Sequence, residues 1–389
     1  MKRLCISILL LFFLTGCWDR IEVNDLAIVV GTGLDKTEEG KIQLSVQIIN
    51  PSASGGGSTG GSSGQQGTGQ LTTVEKAIGK TVFDAKSKLQ EQVSRKLFWG
   101  HNRAIIIGQK MAEKGIRKHI DFFARHPYPR LRAYAFVTTE KVADVLKVIP
   151  DLERSSSEVA RELSILKVGM SVTTMELLKM LQGKARSTAL PIVEIEREPP
   201  GTEGLRISGT AIFRDAAMVG QIDDKVTRGI LWLRDTIKTA SVTIQPKGVK
   251  GNISFHILRS STQLIPKIKN DNWKLVVQIH SLDDAVENET KLDLMNPDIV
   301  RKLETQLENA VDERIRLVLE KVQKEMGADI FGFSEAFHRH YPDKWEKVKN
   351  QWDQKFPEVE VVIKSNIDIK RPGRSTAPQG VPPDEVIGK

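Results

Sequence analysis

The fold class follows from residues 254–279, SFHILRSSTQLIPKIKNDNWKLVVQI, in which runs rich in β-branched and aromatic residues alternate with short polar breaks. Runs of this composition, bounded by Ser, Asn and Asp, are typical of strands. They predict strands over residues 254–258, 262–268 and 273–279, preceded by strands over 205–213 and 241–244. Because consecutive strands with short connections pair antiparallel, this half of the chain is predicted to form an antiparallel meander.

Two helical patterns follow these strands. Residues 297–326 repeat apolar residues at helical spacing, residues 330–352 are rich in Phe, Tyr and Trp, and a strand over 359–369 closes the region. Strands followed by helices predict an α+β fold in which helices pack on antiparallel sheets. The aromatic stretch has two interpretations, a ligand- or membrane-contacting face or core packing. Helical spacing and large burial area favour the core.

In the N-terminal half, predicted strands and helices interleave. Thr73 is a candidate cap for a helix reaching about Val93, and residues 155–182 read as helical, with Ser156 and Thr173 as caps and Gly169 as the break. The remaining predicted elements are strands over 26–30, 41–49, 103–107 and 131–138 and helices over 110–124 and 141–148.

The organisation predicted from composition is multi-domain, because 389 residues are too many for one small core. Residues 51–70 contain eight glycines, five serines and no charge, which predicts a flexible loop inserted in the N-terminal domain. Pro199, Pro200 and Gly201 indicate a boundary near residue 199. The predicted segments are 1–16, a signal peptide; 17–198, an α+β domain; 199–240, a middle segment or small domain; 241–371, a second α+β domain; and 372–389, a disordered tail.

Overall composition excludes several classes of protein. Charged residues make up 27% of the chain and hydrophobic ones 40%, which is too polar for a multi-span membrane protein. Lys and Arg number 57 and Asp and Glu 49, giving a net charge of +8 that is spread along the chain rather than held in a basic block. Nucleic-acid binding is therefore not predicted, whereas the modest positive charge suits an anionic lipid surface.

The N-terminus carries the pattern of a lipoprotein signal. Lys2 and Arg3 precede an apolar run over residues 4–14, and Leu14, Thr15, Gly16 and Cys17 follow. The run is short for a bilayer span, which needs about 20 residues. We therefore expect cleavage before Cys17 and a covalent diacylglyceryl lipid on its thiol. The only other cysteine, Cys5, lies in the removed segment, so the mature chain has no disulfide.

No catalytic or metal-binding constellation is found. Gly79, Lys80 and Thr81 resemble the end of a phosphate-binding loop, but the glycine that opens such a loop is missing. Gly31 and Gly33 follow a strand without a third glycine or a helix. The seven histidines do not stand at zinc-binding spacing. The sequence predicts no enzyme activity, no metal and no cofactor beyond the lipid.

Two segments carry a resemblance to a known family. The N-terminal run Gly16-Cys17-Trp18-Asp19-Arg20, with the stretch LAIVVGTGLD over residues 26–35, resembles the start of the Ger(x)C family, the C-subunit lipoproteins of spore germinant receptors. Residues 207–220, ISGTAIFRDAAMVG, followed by Thr227-Arg228-Gly229-Ile230, are similar to its central segment. The resemblance spans nearly the whole chain, apart from residues 51–70.

This resemblance implies a function. It implies three compact α+β domains and a non-enzymatic, lipid-anchored subunit on the outer surface of the spore inner membrane. It also implies two integral-membrane partners, the A and B subunits, of which the transporter-like B subunit binds the nutrient. The chain would serve receptor assembly and signalling during germination.

Candidate contact residues lie in or next to the two matching segments. Trp18 can rest at the lipid headgroups, where indole is favoured, or simply pack. Asp19 and Arg20 either recognise a partner or pair locally. Arg228 and Trp232 stand four apart, so they share one face of a helix and serve either a partner contact or the core.

A second class of function is a lipid-anchored solute-binding protein that delivers a small nutrient from a cleft between domains. Such receptors usually show repeated βα units with parallel strands. The consecutive strands after residue 240 favour the receptor subunit instead.

Overall fold

The computed structural model describes residues 22–50, 71–126, 129–197, 203–237, 240–371, 378 and 380–388. Nine strands of this part of the chain form a first sheet in the order β3-β2-β1-β5-β6-β7-β8-β9, with β4 beside the start of β1. The strands are β1 Leu26–Lys36, β2 Ile42–Ile49, β3 Thr72–Gly79, β4 Lys96–Phe98, β5 Ala104–Gly108, β6 Tyr134–Thr138, β7 Ser187–Glu196, β8 Gly204–Arg214 and β9 Ala217–Asp223.

The first sheet is mixed rather than antiparallel throughout. Strands β1, β5, β6 and β7 run parallel, and the other long pairs are antiparallel. The α+β class and the packing of sheets by helices are confirmed, but the expectation of antiparallel sheets holds only in part. The reason is that helices connect the central strands, and a crossover of this kind returns the chain in the same direction.

Helices cover both faces of this sheet. Strand β5 is buried along its whole length, with Ile105 and Ile107 in one apolar cluster and Ala104 and Ile106 in the other, as expected for a parallel strand between two helical layers. The helices are α1 Val82–Gln92, α2 Gln109–Lys114, α3 Arg117–Arg125, α4 Val142–Lys147, α5 Ser156–Ile165, α6 Thr174–Gln182 and α7 Asp224–Leu233.

Two helix starts differ from the sequence prediction. Thr73 lies in β3, not at a helix cap, and the cap is Thr81, whose hydroxyl accepts a hydrogen bond from the Asp84 backbone N–H. The apolar residues of this segment fit both periods, and pairing with β2 decides for the strand. Ser155 rather than Ser156 caps α5. Thr173 is confirmed as the cap of α6.

A second sheet has the order β10-β11-β12-β13, with strands β10 Ser241–Ile244, β11 Ile253–Lys269, β12 Asn272–Asn288 and β13 Glu360–Arg371. The strands predicted over 254–258 and 262–268 are one strand, β11, which pairs with β12 along its length through two register shifts. Asn270 and Asp271, both at positive φ, make the hairpin turn, which is typical of a type I′ connection.

The long helix α8, Pro297–Val318, packs against α7 and along β13 and continues as a π-helix over Leu319–Glu325. Its carboxylates protect the free edge of β13. Glu304 accepts from the Ile369 backbone N–H at 2.9 Å, and Glu308 from that of Ile367 at 3.3 Å. An edge strand covered in this way cannot pair with another chain.

The aromatic stretch forms core, as predicted. It folds into α9 Phe333–His340, α10 Pro342–Val348 and α11 Trp352–Lys355. Trp345 and Trp352 are buried with ring centroids 4.9 Å apart, and Phe337 lies 4.7 Å from Trp273 of β12. The aromatic rings therefore fasten these helices to the second sheet.

Two predicted boundaries need comment. Strands β7 and β8, which precede and follow residue 199 in the sequence, pair in one sheet, and the division into domains stays a prediction. Within the segment predicted as a disordered tail, residues 380–388 are described and make contacts. Ile387 bridges to Leu292, and the Asn296 side chain donates to the Gly388 carbonyl at 2.8 Å. These contacts fix the tail at the start of α8.

Candidate functional site

The N-terminal candidates Cys17, Trp18, Asp19 and Arg20 lie outside the described residues, and their roles stay predictions. The central segment over residues 207–232 is described. It runs through β8, β9 and α7, where the first sheet meets α8.

Hydrogen bonds of Thr227 fasten α7 to β8. Asp223 caps the helix by accepting from the Val226 backbone N–H. The Thr227 hydroxyl donates to the Asp223 carbonyl at 2.7 Å and lies 2.9 Å from the Thr210 hydroxyl. Because a hydroxyl has one proton, Thr210 is the donor of that second bond. Both threonines are buried, so the chain of bonds leaves neither hydroxyl unpaired.

Gly229 permits a close crossing of two helices. A Cβ atom at this position would lie 2.5 Å from the Arg314 carbonyl oxygen and 2.8 Å from Val318 Cγ1 of α8. A larger residue would push α7 away from α8. The Thr-Arg-Gly segment therefore packs between the first sheet and α8.

The two candidate contacts on α7 have different environments. Trp232 is fully buried, and its indole N–H has no hydrogen-bond partner among the described residues. The core-packing alternative thus describes Trp232. Arg228 is half-exposed and pairs with Asp224 at 3.2 Å. Burial and the charge of Arg228 lower the pKa of the nearby Arg314 guanidinium. Arg228 remains a candidate partner contact.

A cleft that the sequence did not predict lies beside the end of α7. Its volume is about 360 Å³, and its lining includes Met180, Arg234, Asp329, Ser334 and Glu335. The Arg234 guanidinium contacts the Ile330 carbonyl at 3.4 Å and Met180 Sδ at 3.5 Å. Burial lowers the pKa of this guanidinium, although Glu176 and Asp329 oppose the shift.

The carboxylate of Asp329 is fully engaged. It accepts from the backbone N–H groups of residues 331–334 and from the Trp352 indole at 3.0 Å. An Asp shortly before a helix is a recognisable start signal in a sequence. Arg234 carries no such signal, because its partners stand 54 and 96 positions away.

Neither a metal-holding cluster nor a membrane-crossing helix is found in the described residues. No group of three His, Cys, Asp or Glu side chains in the described part of the chain is placed to hold a metal. None of the described helices is both long and apolar enough to cross a bilayer.

Comparison with known families accounts for most of the chain. The model of the spore germination protein N-terminal domain matches residues 19–195. The model of the spore germination B3/GerAC-like C-terminal domain matches residues 208–373. The chain belongs to the Ger(x)C family. The resemblance seen in the sequence is confirmed, and a role in spore germination follows from it.

Relatives match this Ger(x)C protein from end to end. Spore germination protein KC of Bacillus subtilis (strain 168) is 26% identical over 405 residues, covering 97% of this chain and 98% of its own. Spore germination protein A3 of the same organism is 24% identical over 377 residues, covering 95% and 97%. The crystal structure of the GerBC protein matches with a TM-score of 0.55 at 19% identity, covering 87% of this chain and 97% of that one, which supports the fold.

The family match also locates the features described above. The cleft lies between Met180, inside the N-terminal match, and residues 329–335, inside the C-terminal one. Helix α7 and Thr210 of β8 both belong to the C-terminal match, so the Thr227 bond holds α7 to the first sheet within that match. In this Ger(x)C protein the two matched segments are joined by the pairing of β7 with β8, and the Thr-Arg-Gly segment packs β8 against α8 within the C-terminal match.

Proposed function

We propose that this protein is the lipid-anchored, non-enzymatic C subunit of a nutrient germinant receptor. A diacylglyceryl group on Cys17 holds it on the outer surface of the spore inner membrane. There it assembles with the integral-membrane A and B subunits and serves receptor assembly and signalling. The observation that carries this proposal is the ordered match of both spore germination models over residues 19–195 and 208–373.

Two further observations support it. Relatives named spore germination proteins KC, A3 and B3 align over at least 95% of this chain. The sequence over residues 14–17 is that of a lipidated cysteine, and two acyl chains anchor a protein far more firmly than one. Anchoring raises the effective concentration of the protein near membrane partners, so moderate contacts suffice for assembly.

The test is a crosslinking pull-down of the native protein from spore inner membranes, with recovered proteins identified by mass spectrometry. We expect two integral-membrane subunits among the products. Recovery of the protein without these two subunits would contradict the proposed assembly, provided that the same crosslinker density captures other known membrane complexes.

A solute-binding protein remains the second candidate, because the cleft beside Arg234 has the size for a small molecule. The same experiment separates the two functions. A solute-binding protein would be recovered without the two subunits, and native mass spectrometry would show a bound small molecule.

A further inference from the structure

The ends of three strands lie together at one end of the first sheet. Strand β1 begins there at Leu26. Strand β2 ends beside it, because Ile48 pairs with Val29, and β3 begins beside the end of β2, because Thr72 pairs with Ile49. We call this the entry end of the sheet. It is the end at which the chain from Cys17 reaches the fold.

Helix α4 leads the chain to the same end. At its start, the Val142 backbone N–H donates to Asp35 near the far end of β1, at 3.1 Å. Near its other end, Leu146 Cδ2 lies 3.0 Å from the position that a Cβ on Gly31 would take. The helix therefore runs antiparallel to β1. The loop over residues 148–154, which follows α4, leaves the helix at the entry end.

The base of this loop is fixed. Gln47 of β2 donates from Nε2 to the Leu146 carbonyl at 2.7 Å and to Ser156 Oγ at 3.1 Å. Ser156 donates to the same carbonyl at 3.0 Å, and all of these groups are buried. Both ends of the loop are thus held against β2, and its tip is presented in a defined place.

Large apolar side chains are exposed at this end. Three of the four most exposed in the described part of the chain are here: Leu152 at 96%, Val23 at 70% and Ile149 at 64%. Leu71, just before β3, is 42% exposed. Single exposed apolar residues are ordinary, but a group of them on one surface indicates an interaction.

The tether identifies what covers this surface. Only residues 18–21 separate Cys17 from Glu22. Five residue steps reach at most about 18 Å when fully extended. A lipid on Cys17 therefore holds the entry end within that distance of the bilayer interface. Aliphatic side chains at the tip of a fixed loop are suited to enter the interfacial layer.

We propose that Val23, Ile149 and Leu152 enter the lipid interface, so that the protein stands on the membrane with the entry end of its first sheet. The proposal rests on the lipid anchor in the proposed function. Charges around the tip are mixed, with Asp151 and Glu153 beside Arg154, so the contact is apolar and needs the tether to persist.

The protein is convenient for a depth measurement, because the mature chain has no cysteine besides Cys17. Leu152→Cys is labelled with the fluorophore NBD, and the lipidated full chain is placed on vesicles of phosphatidylglycerol and phosphatidylethanolamine carrying a headgroup nitroxide. Val286→Cys, 61% exposed on the second sheet, is the matched control. We expect at least threefold stronger quenching at position 152. Equal quenching at both positions overturns the proposal.

A second experiment distinguishes the contribution of this surface from that of the lipid anchor. The chain from residue 18 onward is tethered through an N-terminal hexahistidine tag to nickel-chelating lipid in the same vesicles. This chain lacks Cys17, so stronger quenching at position 152 than at position 286 supports the lipid contact of this surface independently of lipidation. Quenching that appears only after the A and B subunits are added identifies a protein contact instead, which overturns the lipid assignment.

Discussion

At the scale of single residues, the packing of α7 between β8 and α8 depends on atoms that a sequence pattern does not display. The sequence made the Thr-Arg-Gly segment of α7 a candidate for partner contact or core packing. Thr227 and Gly229 act in packing, through a bond to Thr210 and a close approach to Arg314. Of the two predicted contacts, only Arg228 reaches the surface.

Gly229→Ala tests this close approach. Ala gains about 1 kcal/mol over Gly in helix propensity. Its Cβ, however, would lie 2.5 Å from the backbone oxygen of Arg314, which cannot move as a side chain does. We expect a net loss of about 1–3 kcal/mol in the free energy of unfolding, measured by urea denaturation.

Gly204→Ala is the matched control for that variant. Its Cβ would have nothing nearer than Glu196 Oε2 at 4.0 Å, so its unfolding midpoint should stay at or above the wild-type value. Equal midpoints for the two variants would show that α7 and α8 do not cross closely.

Asp283 predicts a pH dependence of stability. Burial raises the pKa of this carboxyl from 3.8 to about 6, against a hydrogen bond from Ser281. A raised pKa in the folded state means that the folded state favours the protonated form. The stabilisation is complete below the unfolded pKa near 4 and is lost as the pH rises through about 6.

The variant Asp283→Asn stays neutral and keeps an acceptor for Ser281. Two pKa units correspond to about 3 kcal/mol, so the wild type should lose about 2–3 kcal/mol relative to the variant between pH 4 and pH 7. Urea denaturation at both pH values measures this difference. A difference that does not change with pH would contradict the assignment.

At the scale of elements, the sequence predicted the long helix with a regular apolar repeat. It missed the elements that depend on contacts with residues far away in the sequence. The helix predicted over residues 297–326 has a long apolar repeat, and the structure has α8 followed by a π-helix there. Strand β3 was taken as helix, since its edge position becomes visible only through pairing with β2. The tail was taken as disordered, because its bridge to Leu292 joins residues far apart in sequence.

Replacing residues 51–70 with Asn-Gly tests whether that segment matters to the fold. The Asn50 backbone N–H already donates to the Leu71 carbonyl at 2.8 Å, so the two strands are in register for a two-residue turn. A tenfold shorter loop lowers the entropic cost of closing the loop by about 2 kcal/mol. We expect an unchanged circular dichroism spectrum and an unfolding midpoint equal to or above the wild-type value. A lower midpoint would show that the segment contributes contacts to the folded state.

At the scale of the whole molecule, the fold and its attachment to the membrane are separate questions. The cleft between the two matched segments could not be foreseen, because Arg234 meets Met180 and Ile330 only after both segments fold. Attachment through a lipid, by contrast, is predicted from residues 2–17 alone.

Cys17→Ala tests this attachment in the spore. The thiol is the only atom that can receive the diacylglyceryl group, so the variant should leave the inner-membrane fraction for the soluble fraction, and nutrient-triggered germination should fall. The entry-end side chains alone should not retain it, since reversible interfacial contacts need a second attachment to persist. Trp18→Ala is the control that leaves the lipid in place, and it should remain with the membrane. Full membrane retention of the Cys17→Ala protein, seen by immunoblotting of fractions, would show that protein contacts rather than the lipid hold it there.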